Sequence, residues 1–204
     1  MLLTSRREET WLGKIYRRVE LRGLRLNEAQ ELAVRVLERA EMEPNDIRVL
    51  PQYNDLLEYL CGNPLAIQVI LPELKHETPE DLLNALKKGE ATFGADDPHQ
   101  GRERSLSASL AYRLETLDPS LHQRLGVLGL FQGFVTTITL ELICKDDEAP
   151  ELIRGLSNEA WGRMLDTAAE VGLLRKVAPG LYTVHPALPW FFHDRMLAAF
   201  PQRI

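Results

Sequence analysis

Two cysteines in 204 residues, Cys61 and Cys144, form neither a CxxC pair nor a metal-spaced set. They read as small buried hydrophobes in a reducing compartment. No apolar run approaches the ~20 residues that span a bilayer, and the N-terminus lacks a signal peptide's apolar core and cleavage site. No membrane partner and a cytoplasmic location are the expectations.

The chain also lacks the parts of an independent enzyme. There is no GxSxG nucleophile turn, HExxH pair or glycine-rich dinucleotide loop. No GxxxxGK[ST] phosphate loop occurs, since Gly13-Lys14 is followed by Ile15 and preceded five residues earlier by Glu8. An apolar run ending in magnesium-holding acids is missing too. Without loop amides, lysine and metal, phosphoryl transfer has no electrostatic stabilisation, so the chain alone is not expected to hydrolyse ATP. No metal site is expected: His185 and His193 stand eight apart with Asp194 beside them, which is no compact ligand set. Asp146-Asp147-Glu148 and Asp96-Asp97 lack the glycine and alternating oxygens of a calcium loop and read as solvated loops.

What is present is a globular composition, 45% hydrophobic and 26% charged. The net charge of −6 is unevenly spread: residues 1–25 hold seven Lys/Arg against three Asp/Glu, and residues 26–103 hold seven against sixteen. Met1-Leu2-Leu3-Thr4 looks like the tail of an apolar strand with Ser5-Arg6-Arg7 where it leaves a sheet, and Val19-Glu20-Leu21 offers a second strand. Asn27, with Gln30 reaching back, is placed to cap a helix carrying Ala29, Leu32, Ala33, Val36, Leu37 and Ala40 at helical spacing.

Pro44 and Asn45-Asp46 break that helix, and Tyr53, Leu56, Leu57 and Leu60 resume the period until Cys61-Gly62-Asn63. Pro64 suits the first turn of a third helix, and Thr78-Pro79-Glu80-Asp81 opens a fourth. Residues 24–90 thus read as a small helical bundle. Residues 91–103, including Gly94 to Gly101, read as a linker.

A second unit, 104–200, follows. Leu106, Leu110, Leu114 and Leu117 stripe one helix; Asp118-Pro119 starts another with Leu121, Leu125 and Leu128 inside. After a short helix near Leu140 to Cys144, Ser157 caps a longer one bearing Ala160, Trp161, Met164, Leu165 and Ala168, stopped by Gly172. Leu173–Val177 and Leu181–Val184 make a hairpin through Ala178-Pro179-Gly180, where Pro and Gly favour a type II turn. A last helix starts at Pro186, and Trp190-Phe191-Phe192 is either core or a docking surface.

Three helices, a two-stranded hairpin and a closing helix form the winged-helix variant of helix-turn-helix architecture. Such a unit is most often a DNA reader, and a regulator inserting helix 158–171 into the major groove is the alternative function. Charge opposes it, because that helix carries Glu159, Asp166 and Glu170 against Arg163, and residues 118–204 carry eight Lys/Arg against ten Asp/Glu. A protein-packing winged helix fits this balance better.

Three motifs in order resemble the NB-ARC class of signal-transduction (STAND) ATPases, in the bacterial branch associated with tetratricopeptide repeats. Leu2-Leu3-Thr4-Ser5-Arg6 resembles the sensor 1 strand; Cys61-Gly62-Asn63-Pro64-Leu65-Ala66 resembles the GxP motif; Tyr182-Thr183-Val184-His185-Pro186 sits where the family has Met-His-Asp. The resemblance implies a mainly α chain: the end of an α/β nucleotide-binding domain (1–23), then the helical bundle and the winged-helix unit.

It also implies roles for the motif residues. Arg6 would reach the γ-phosphate of ATP. Gly62, Pro64 and Leu65 would form the adenine-side contact, with the proline ring on the purine. His185 would touch the β-phosphate of ADP. Val184 replaces Met and Pro186 replaces Asp, so His185 either holds nucleotide through a weaker lock or caps the helix that Pro186 begins.

The implied partners are ADP or ATP, a P-loop domain upstream and a repeat domain downstream, both missing here. A homo-oligomer in the active full-length state is implied too, with magnesium bound only in the complete protein. The chain reads as cut at both ends.

Overall fold

The computed structural model describes residues 22–90, 102–189 and 191–193. Arg6 and the expected remnant strands lie outside them, as do Trp190 and most of the expected linker.

Nine α-helices and three strands follow one another among the described residues: α1 (Leu26–Arg39), α2 (Pro44–Arg48), α3 (Tyr53–Tyr59), α4 (Pro64–Ile70), α5 (Pro79–Glu90), α6 (Arg102–Glu115), α7 (Pro119–Leu125), β1 (Gly133–Thr136), α8 (Thr137–Cys144), α9 (Asn158–Glu170), β2 (Leu174–Ala178) and β3 (Leu181–Val184). The fold is mainly helical with one small antiparallel sheet. Among these residues, no helix is long and apolar enough to cross a membrane.

Caps set most boundaries. Thr78 accepts the Asp81 amide at 3.2 Å, Asp118 accepts the Ser120 amide at 2.9 Å, and Ser157 accepts the Ala160 amide at 3.3 Å. Each satisfies an N–H that the first helical turn leaves without a partner. Gly172, at φ +81°, ends α9. The helix expected to be capped by Asn27 starts two residues earlier: Arg25 is the cap residue, and Glu28 rather than Gln30 reaches back, its carboxylate accepting the Arg25 amide at 2.8 Å. Pro44 does more than break α1, because its fixed φ starts the single turn of α2.

The sheet corrects the expectation of a two-stranded hairpin. It has three strands in the order β1-β3-β2, all antiparallel, with Phe134 opposite Thr183 and Arg175 opposite Thr183 on the other side. The hairpin's first strand runs Leu174–Ala178 instead of Leu173–Val177, with an irregularity at Lys176/Ala178. Its turn is as expected, Ala178 pairing with Leu181 and Gly180 at φ +73°.

One contiguous buried cluster runs from α1 to the last described residues. Helix α6 carries it across. Its small residues Ser105, Ala108 and Ser109 are buried, which lets α6 lie close on α4 and α5 while also touching α7. The helix expected to open the second unit is therefore seated on the first. Phe191 and Phe192 are core, their rings edge to face at 5.5 Å between centroids.

Candidate functional site

The α3–α4 turn is built by conformations few residues adopt. Cys61 and Gly62 are both left-handed, at φ +51° and +62°. The Leu24 amide donates to the Gly62 carbonyl at 2.9 Å, and a Cβ on Gly62 would fall 2.2 Å from the Leu24 carbonyl oxygen. Only glycine allows this approach. Asn63 then caps α4, its Oδ1 accepting the amides of Leu65 at 3.0 Å and Ala66 at 3.3 Å.

Pro64 follows at the first helical position, where its missing N–H strands no donor, and it is exposed; Leu65 turns into the core. The result is a flat apolar ring held rigidly at a helix start.

That ring borders a groove of about 280 Å³ between α1 and α4. Leu24, Leu32 and Pro64 line it with carbon; Glu28, Glu31, Arg35 and Gln68 line it with polar groups. Two carboxylates against one guanidinium suit an uncharged flat group with hydrogen-bonding edges better than a phosphate. A second hollow of about 600 Å³, which sequence reasoning passed over, lies at Leu50, Leu74, Lys75, His76, Glu77, Thr78 and Asp81. Its polar groups are largely engaged: Thr78 donates to Asp81 at 2.6 Å, and Glu77 accepts the Tyr112 hydroxyl at 2.8 Å.

His185 is exposed at the end of β3. Its Nδ1 accepts the Ala187 amide at 3.2 Å and its carbonyl accepts the Leu188 amide at 2.9 Å, so it caps the chain's next helical turn. An acceptor at Nδ1 places the ring proton of the neutral form on Nε2. His185 does not line the groove at Pro64. Of the expected site residues, the structure thus joins Gly62, Pro64 and Leu65 in one turn and sets His185 at the end of β3, outside the groove at Pro64, while Arg6 lies outside the described residues.

The hairpin and α9 meet in a polar cluster. Asp166 Oδ1 accepts the Tyr182 hydroxyl at 2.5 Å and pairs with Lys176 at 2.6 Å, and Lys176 Nζ lies 5.9 Å from the Tyr182 ring centroid. The hydrogen bond from Lys176, then that from Tyr182, holds the Asp166 carboxyl below its usual range. Burial, then the Asp166 carboxylate, pushes the Tyr182 phenol up.

Among the described residues, no group of three His, Cys, Asp or Glu is placed to hold a metal ion. Cys144 is buried and accepts the Trp161 indole N–H at 3.2 Å. Burial raises its thiol's pKa.

No family model matches the chain. It is 27% identical over 108 residues to a nucleoside diphosphate kinase of Nitrosomonas eutropha, a match covering 51% of this chain and 66% of the relative. It is 28% identical over 105 residues to a nucleoside diphosphate kinase of Nitratiruptor sp., covering 51% of this chain and 68% of that relative. The chain therefore spans about two thirds of the length of these relatives.

Proposed function

We propose that the chain is the regulatory, nucleotide-sensing segment of an NB-ARC/STAND-type switch ATPase, completed by a P-loop domain and joined downstream to repeats. The observation that carries this reading is the rigid Gly62-Asn63-Pro64 turn, which presents an exposed proline ring beside a small, partly apolar groove. A purine face can lie on that ring without burying an unpaired donor. The likeness to proteins named for nucleoside diphosphates supports a nucleotide partner.

In the mechanism, ADP contacts from Pro64 and His185 hold the bundle and the distal unit against the nucleotide domain, and exchange to ATP, read by Arg6, shifts the population toward release. Magnesium and hydrolysis belong to the completed protein, and the segment itself is no enzyme.

The element order α6, α7, β1, α8, α9, β2, β3 with sheet order β1-β3-β2 supports a winged helix in the distal unit. That order also favours the DNA-regulator alternative. Its weakness is electrostatic: Lys176, one of two adjacent cations on the hairpin, pairs with Asp166 of α9.

Titration of the chain, and of Pro64→Ala and His185→Ala, with ADP and with duplex DNA at low and physiological salt separates these readings. Weak ADP binding reduced in both variants is the expected result. Tight, salt-dependent DNA binding without nucleotide binding would replace the proposal with the regulator. Phosphoryl transfer from ATP to a nucleoside diphosphate would replace it with the activity that names the similar kinases.

A further inference from the structure

Sequence reasoning also overlooked Arg113. Ser105, Ser109 and Arg113 recur at every fourth residue of α6, beside its leucine stripe, and all three are buried. A guanidinium stays charged at any ordinary pH, so its burial requires partners. Arg113 has two, from different parts of the fold. Nη1 pairs with Glu73 of the 3₁₀ turn that follows α4. Nε donates to the carbonyl oxygen of Val171, the residue that ends α9, at 3.3 Å across 58 residues of sequence.

That carbonyl lies where α9 exposes unpaired acceptors and the negative end of its dipole. The adjoining Gly172 passes close to α4: a Cβ there would meet the Gln68 carbonyl oxygen at 3.8 Å. The polar tie therefore sits beside the point where the end of α9 approaches α4.

We propose that Arg113 is a conformational latch: oriented by Glu73 on the bundle, it caps the C-terminus of α9 and so holds the distal unit closed on the bundle. The two bonds are unequal in kind. The Glu73–Arg113 pair lies on the bundle side of the seam, because α6 packs on α4 and α5, whereas the Val171 bond reaches the distal unit and exists only when the seam is closed. Separation about the α6–α7 link at Thr116–Asp118 breaks the second, keeps the first and hydrates both. A guanidinium held in place by its own carboxylate is thus ready to recapture the helix end. The latch needs only this seam and stands apart from the nucleotide reading.

The test is the distance between spin labels at Glu38→Cys on α1 and Val177→Cys on β2, in a Cys61→Ser background, by pulsed dipolar spectroscopy. With Arg113 present, one narrow distance is expected. Arg113→Met should raise a second, longer population by at least about tenfold, as expected for loss of a charge-assisted hydrogen bond. Arg113→Lys should restore part of the closed state, and Glu73→Gln, which keeps shape while removing the orienting charge, should open it less than Arg113→Met.

A purely stabilising ion pair would lower the unfolding midpoint and leave the single distance unchanged. That outcome in folded Arg113→Met overturns the latch. Should that variant fail to fold, an unchanged distance in Glu73→Gln overturns it.

Discussion

Two ion pairs of similar composition hold this molecule in opposite ways. Glu73–Arg113 joins the 3₁₀ turn after α4 to α6, with side chains 7% and 16% exposed for Arg113 and Glu73. Asp166–Lys176 lies on the hairpin with side chains 47% and 41% exposed for Lys176 and Asp166. Water competes far more for the second than for the first. The first is therefore costly to break, and the second adds local order to a hairpin already held by its ladder.

The sharpest way to break this comparison is Arg113→Ala. It leaves the half-buried Glu73 carboxylate without its cation and the Val171 carbonyl without its donor, and a loss of about 3 kcal/mol, the low end for a broken buried pair, is expected from urea unfolding followed by circular dichroism. A loss below ~1 kcal/mol would mean the two pairs are equivalent.

Next comes Gly62→Ala, which combines the strain of a left-handed alanine, about 1–3 kcal/mol, with a clash against Leu24. Thermal unfolding should show the loss, and ADP binding should fall with it if the α3–α4 turn is the nucleotide contact. Asn63→Ala should cost about 0.5–2 kcal/mol by removing the cap of α4, measured the same way.

Smallest is Lys176→Ala, whose unfolding midpoint should barely move near neutrality. The pH dependence sharpens the point. The folded carboxyl of Asp166 titrates below its ordinary value of ~3.9. Its contribution is fully present above that value and is lost as pH falls through the lower folded value. Wild type and Asp166→Asn should therefore differ in stability by a constant amount from pH 7 to 5 and converge only below ~4, as acid unfolding curves would show.

Much of the helical framework was legible because its signals are local. Thr78, Asp118 and Ser157 announce helices by capping chemistry within three residues, and Gly172 announces a stop by tolerating positive φ. The Gly62-Asn63-Pro64 turn was legible for the same reason, although the need for glycine there comes from Leu24, which sequence reasoning did not pair with it.

Strand β1 was missed. Four residues at a sheet edge carry no clean alternation, and their pairing with β3 is decided by a partner some fifty residues on. Arg113 was missed because an arginine next to a leucine stripe looks like a solvated flank until Glu73 and Val171 close over it.

The amino-acid order by itself determined the mainly helical class, most helix starts, the hairpin turn and the proline presented at the head of α4, because each follows from backbone conformation over a few residues. Only the tertiary structure decided that α6 belongs against the bundle, that the sheet has a third strand, that His185 caps a turn away from the groove at Pro64, and that Arg113 bridges the seam. Those outcomes depend on which groups lose their water together, and burial is a property of the assembled chain rather than of any segment of it.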